Sequence, residues 1–85
     1  MEVIFTPKAL ADLNEWQKSG NVGVQKKIKE LLQSIRETPF TGVGKPEALK
    51  HNLTGKWSRR ISQEHRIVYD LDGNTINIYS LKGHY

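Results

Sequence analysis

The residues Trp57-Ser58-Arg59-Arg60-Ile61-Ser62-Gln63-Glu64-His65-Arg66-Ile67-Val68-Tyr69 decide the fold. Apolar, β-branched and aromatic positions alternate with polar ones on both sides of Gln63, which predicts two strands around a short turn. With Ser62, Gln63 and Glu64 as the turn, Arg60 lies opposite Arg66, and the two share a face with Ser58 and Val68. Trp57, Ile61, Ile67 and Tyr69 make the other face. The hairpin thus has a core side behind and a cationic side in front. A two-residue turn would separate the arginines. Two like charges side by side repel, which predicts an anionic group between them. Arg59 points toward the core side in this register, where a salt bridge or an edge position is expected for it.

Downstream, Asp72-Gly73 is a strong hairpin signal, and Ile76 and Ile78 mark a last strand ending near Leu81. Counting back with Asp72-Gly73 as the loop sets Tyr79 opposite Arg66. Lys82-Gly83-His84-Tyr85 then passes the start of the Arg66 strand, which brings His84 and Tyr85 beside the two arginines.

Upstream, Met1, Val3 and Phe5 alternate with Glu2 and Ile4 as a short strand. Thr6 offers a capping hydroxyl and Pro7 suits the first position of a helix carrying Ala9, Leu10, Leu13 and Trp16 on one face. Ser19-Gly20-Asn21 closes it and can cap the next. Val24, Ile28, Leu31, Leu32 and Ile35 follow at helical spacing, with Lys26, Lys27 and Lys29 on the solvated side, until Glu37-Thr38-Pro39. Glycine and proline break regular structure over residues 38–56, where Pro46–Lys50 is expected to make one helical turn. Gly42-Val43-Gly44 is too short for a nucleotide-binding fingerprint. The order β-α-α-β-β-β predicts an α+β domain, an antiparallel sheet with two helices on one face and the other face open.

Residues 1–85 make one small domain with no cysteine, so no disulfide or thiolate metal site supports it. This fits a reducing cytosol, and no apolar run approaches the length of a membrane span. The net charge is +4, and residues 45–66 hold six cations against two carboxylates, so the excess falls on the segment around the open face. Such clustering points to a polyanion, with nucleic acid the commonest in cytosol.

Glu47, Lys50, Arg60, Arg66, His84 and Tyr85 gather a carboxylate, an imidazole, fixed cations and a phenol. His51, His65 and His84 are too scattered for a zinc motif, no cofactor is implied, and no Ser-His-Asp order suggests acyl transfer. His65 reads as a structural strand-end residue. Metal-free RNA cleavage needs a base for the ribose 2′-OH, a cation for the phosphoryl oxygens and an acid for the leaving 5′-oxygen. Glu47 is the candidate base and His84 the candidate acid. Arg66 binds phosphate in fork geometry with Arg60 and Lys50 assisting, and Tyr85 stacks on a base or bonds near the phosphate. Simple RNA or protein binding by the basic face is the competing reading.

Pro46-Glu47, Leu49-Lys50-His51-Asn52-Leu53, Gly55, Trp57-Ser58-Arg59-Arg60-Ile61, Glu64-His65-Arg66 and Val68-Tyr69 resemble the YoeB/Txe toxins of the RelE/ParE superfamily. Thr38-Pro39-Phe40 and the closing His84-Tyr85 match as well. The resemblance covers nearly the whole chain and is weakest over the first helix and Ile76–Leu81. It implies a RelE-like fold, akin to microbial ribonucleases. It also implies the toxin of a type II toxin–antitoxin system, a ribosome-dependent mRNA endonuclease (mRNA interferase) that cuts in the A site and inhibits translation. The partners it implies are a YefM-type antitoxin and the ribosome (30S/70S) with its mRNA, in the bacterial cytoplasm and away from membranes; a homodimer stays open. The family's base falls on Glu47, its phosphate-binding arginine on Arg66, its acid on His84 and its terminal tyrosine on Tyr85, with supporting cations on Lys50 and Arg60. The alternatives are a non-catalytic RNA-binding module and a ParE-like toxin that poisons gyrase.

Overall fold

The Thr6 hydroxyl accepts the Ala9 N–H at 3.2 Å, and Pro7 follows at the first helical position. The chain therefore passes directly from β1 (Glu2–Phe5) into α1 (Pro7–Ser19) in the computed structural model, which describes residues 1–83. Gly20 ends α1 at φ 73°, a conformation that side chains resist, and Asn21 caps α2 (Val22–Glu37) by accepting the Val24 N–H. Then come β2 (Glu47–Ala48), a 3₁₀ turn (His51–Leu53), β3 (Trp57–Arg60), β4 (Arg66–Asp72) and β5 (Thr75–Ser80).

The five strands form one sheet in the order β1-β5-β4-β3-β2. The α+β architecture is as the pattern predicts, and the sheet is mixed rather than wholly antiparallel. β1 runs parallel to β5, with Val3 opposite Ile76, while every other neighbouring pair is antiparallel. Only a long crossover allows a parallel pair, and two helices and three strands separate these partners in the chain. Ile28, Leu31 and Ile35 of α2 and Ala9 and Trp16 of α1 bury against Ile67, Tyr69, Ile76, Ile78 and Leu81, so both helices lie on one face.

Three local expectations change. The buried face of α1 carries Asp12 with Ala9 and Trp16, while Leu10 is 49% exposed. Asp12 is tolerated there because its Oδ2 accepts from the Leu81 N–H at 3.0 Å and from Lys8 Nζ at 2.7 Å. Pro46–Lys50 makes no helical turn: Glu47 and Ala48 pair with Ser58 and Trp57 as β2, and the 3₁₀ turn comes three residues later. The last hairpin turns on Gly73-Asn74, with Asp72 opposite Thr75, and a bulge at Val68/Tyr69 shifts the pairing again. Arg66 therefore lies beyond Tyr79's reach, and its N–H donates to the Gly83 carbonyl at 2.9 Å instead.

Candidate active site on the sheet face

The three-residue turn is present, and Arg60 pairs directly with Arg66. Directly opposed residues of an antiparallel ladder point to the same face. Glu47 opposes Ser58, and Ser58 opposes Val68, so Glu47, Arg60 and Arg66 share the face turned away from the helices. Glu47 lies one pleat along from the arginine pair. Its side chain is exposed, and among the described residues no ion pair joins it to Lys50, Arg60 or Arg66. Residues Glu47–Leu53 curl around an open cavity of about 370 Å³ that takes in Lys50, also exposed.

Neither guanidinium of the Arg60–Arg66 pair has a carboxylate within 4.0 Å among the described residues. Among the described residues the buried Arg60 Nε has no hydrogen-bond partner. These are fixed cations with unspent donors, as a phosphodiester requires. The face is less open than its sequence pattern suggests, because Ser58 and Val68 are both buried. On the same face Asp70 accepts from Asn77 and from the Tyr79 hydroxyl, and Lys56 sits 4.7 Å over the Tyr79 ring. The Asp70 carboxylate raises the Tyr79 pKa above its ordinary 10.0, aided by slight burial, so the phenol remains a donor at neutral pH.

Arg59 departs most from its expectation. It is on the helix side, fully buried and, among the described residues, without a carboxylate partner. Its Nε donates to the Tyr69 hydroxyl, Nη1 to Ser34 Oγ and the Val43 carbonyl, and Nη2 to the carbonyls of Thr38 and Thr41 at 2.6 and 2.8 Å. Those bonds use every N–H that a guanidinium owns. The loop between α2 and β2 is thus wound around a cation with its carbonyls inward. Gly42 and Gly44 permit the approach: a Cβ on Gly42 would meet Ser34 Oγ at 2.7 Å, and one on Gly44 would meet Leu31 Cδ2 at 2.7 Å. The Gly44 carbonyl then accepts the Arg60 N–H at 2.7 Å, and Glu47 follows three residues on. A charged residue at a core position was the signal that the sequence offered.

His84 and Tyr85 lie outside the described residues. The chain leading to them is anchored at several points. Trp16 Nε1 donates to the Leu81 carbonyl at 2.8 Å, Lys82 pairs with Glu15 at 2.8 Å, and the Gly83 N–H donates to His65 Nδ1 at 2.9 Å. His51 is exposed, and its carbonyl closes the 3₁₀ turn by accepting from Thr54. Trp57 is half-buried against Phe40, with ring centroids 4.8 Å apart, and Tyr69 is fully buried, so both serve packing.

A family model described as the YoeB-like toxin of bacterial type II toxin–antitoxin systems matches residues 5–85. Toxin YoeB of Escherichia coli strain K12 is 45% identical over 85 residues, covering 100% of both chains. A YoeB dimer from Staphylococcus aureus is 48% identical, with a TM-score of 0.92 over 100% of this chain and 98% of that one. A YoeB–YefM complex from Staphylococcus aureus is 49% identical, with a TM-score of 0.91 over the same shares.

Proposed function

This chain belongs to the YoeB-like toxins of bacterial type II toxin–antitoxin systems, and from that premise we propose that it is a ribosome-dependent mRNA endonuclease. The observation that carries the reading is the shared sheet face: an unpaired carboxylate, Glu47, one pleat from two cations held side by side, Arg60 and Arg66. A binding module needs the cations but has no use for the carboxylate, which would weaken its hold on RNA.

The Glu47 carboxylate takes the proton of a ribose 2′-OH. The freed oxygen attacks the adjacent phosphorus, and the bond to the leaving 5′-oxygen breaks. The Arg66 fork, with Arg60 and Lys50 beside it, stabilises the charge that builds on the phosphoryl oxygens. His84 gives its proton to the leaving oxygen, and Tyr85 contacts the phosphate or a base. The products are a 2′,3′-cyclic phosphate and a 5′-hydroxyl. Work in the ribosomal A site places the protein in the cytoplasm. Primer extension on translated mRNA tests the reading. Wild type is expected to produce cuts within translated frames, and His84→Ala to slow cutting by about 10²-fold. Undiminished cutting by a folded His84→Ala protein overturns the role of His84, and absence of cutting by wild type overturns the reading itself.

The proposed partner is a YefM-type antitoxin, and a second copy of the chain is a further assembly open to it, in line with the two Staphylococcus aureus assemblies. Residues 45–66 carry the positive excess, so an acidic antitoxin segment is expected to cover the arginine face and to order as it binds. Hydrogen exchange of the complex should slow at Arg60, Arg66 and Gly83. Protection confined to the outer surfaces of α1 and α2 would rule this out.

A further inference from the structure

We propose that His65 is a positioning residue for the acid step, holding through its Nδ1 the chain from which His84 extends; this rests on the reading of His84 as the acid. The turn fixes His65 itself. Its carbonyl accepts from the N–H groups of Ile61 and Ser62 at 2.9 and 3.1 Å, and its own N–H donates to Ser62 Oγ at 3.2 Å. The ring stands edge-on to Trp16, with centroids 4.9 Å apart and planes at 82°. Trp16 is held in turn by its bond to the Leu81 carbonyl.

The ring nitrogen that faces Gly83 accepts a hydrogen bond from its N–H at 2.9 Å. Only an unprotonated nitrogen can do so, which fixes the neutral ring's proton on Nε2, the atom 3.9 Å from the Glu64 carboxylate. One residue on, the Arg66 N–H donates to the Gly83 carbonyl at 2.9 Å. Two consecutive residues, His65 and Arg66, therefore hold both polar backbone groups of Gly83. The residue that binds the phosphate and the residue that carries the acid's tether are neighbours on one strand end. Gly83 sits at φ 96°, where other residues are strained, so the bend depends on glycine and its direction on these two bonds.

Stability alone does not account for the bond. The apolar core closes at Leu81, and nothing beyond it adds buried apolar surface among the described residues. What the bond adds is a fixed origin for the peptide leaving Gly83. Acid catalysis loses rate steeply when the donor is misplaced by about an ångström.

Two substitutions separate the acceptor from the ring. His65→Phe keeps the edge-on contact with Trp16 and removes the acceptor. His65→Asn loses the ring and returns an oxygen near the place of Nδ1. Single-turnover cleavage on mRNA-programmed ribosomes, melting temperature and exchange of the Gly83 amide are measured for wild type, both variants and His84→Ala. His65→Phe is expected to cut about tenfold more slowly, short of the roughly 10²-fold loss on removing the acid, with ribosome affinity unchanged. His65→Asn should recover most of that rate. The Gly83 amide should be protected in wild type, lose protection in His65→Phe and regain it in His65→Asn. A wild-type rate for His65→Phe beside a slowed His84→Ala overturns the proposal. So does His65→Asn cutting as slowly as His65→Phe with its fold intact. Should His84→Ala cut normally, it is the reading of His84 that fails; the Gly83 amide still reports the anchor, and rapid exchange in wild type overturns it independently.

Discussion

Replacing Glu47 by glutamine is expected to slow mRNA cleavage by roughly 10²–10⁴-fold while leaving the melting temperature unchanged. The two halves of that expectation have separate causes. Glu47 is exposed on β2, and no hydrogen bond or ion pair of its side chain is found among the described residues, so the fold gives up nothing when its charge goes. Glutamine keeps the length and shape of the side chain and keeps the backbone pairing of residue 47 with Ser58. What it loses is the lone pair that can take a proton from the ribose. The loss should therefore fall on the rate of the bound complex and not on ribosome affinity. Affinity should even rise slightly, since a carboxylate one pleat from Arg60 and Arg66 would repel the RNA phosphates that the proposed function has them bind. Single-turnover cleavage at saturating ribosomes, with calorimetry of the free variant, checks both halves. A folded Glu47→Gln protein that cuts at the wild-type rate removes this residue from the chemistry and leaves the face a binding surface.

The arginine pair was legible because alternation is strict on both arms of the hairpin. Period-2 order on both arms fixes which side chains share a face, and a three-residue turn at Ser62, Gln63 and Glu64 buries Ile61, Ile67 and Tyr69 together while setting Arg60 opposite Arg66. Where the pattern is interrupted, legibility ends. The Val68/Tyr69 bulge adds a residue that no alternation announces, and the hairpin after Asp72 turns one residue later than the Asp-Gly signal suggests. Both errors move the register in the same direction, so the chain end still meets Arg66, but at Gly83 rather than at Tyr79. β2 is two residues long, too short to show any period, and its presence follows only from pairing with β3. That pairing puts Glu47 on the arginine face, a placement the spacing of residues 46–50 could not supply. His65 and Asp12 look like ordinary strand-end and helix-surface residues in sequence. Their importance comes from the 80–83 segment returning beside them, contacts separated by up to 69 residues.

Arg59→Met is expected to destabilise the domain by roughly 3–5 kcal/mol, with Arg59→Lys recovering little of it. Methionine fills much of the same volume, so the effect is one of unmet hydrogen bonds and not of a cavity. Three carbonyls, from Thr38, Thr41 and Val43, and two hydroxyls, of Ser34 and Tyr69, lose their donor at once. Each buried acceptor left unmade costs about 1–3 kcal/mol, and water entering the exposed loop offsets part of the sum. A lysine ammonium has three donors on a flexible stem and cannot span acceptors laid out around a planar fork. Tyr69 lends the site rigidity: burial raises its pKa above the ordinary 10.0 against the opposing pull of Arg59, so the phenol donates to the Pro39 carbonyl at neutral pH. Because the folded pKa is raised, this contribution is complete below about pH 10 and declines as alkali ionises the unfolded phenol first. Against a total stability of about 5–15 kcal/mol for a domain of this kind, the loss should lower the melting temperature by at least about 12 °C. A shift of less than about 1 kcal/mol in urea unfolding would show that the loop holds its shape without the guanidinium. Function should suffer before folding does. The loop that Arg59 holds delivers Gly44 to the Arg60 N–H and then Glu47 to β3, so its loosening frees Glu47, the proposed base, from its register with the arginine pair. At temperatures where Arg59→Met is still folded, cleavage should already be slow, although the substituted side chain lies behind the sheet and never meets RNA.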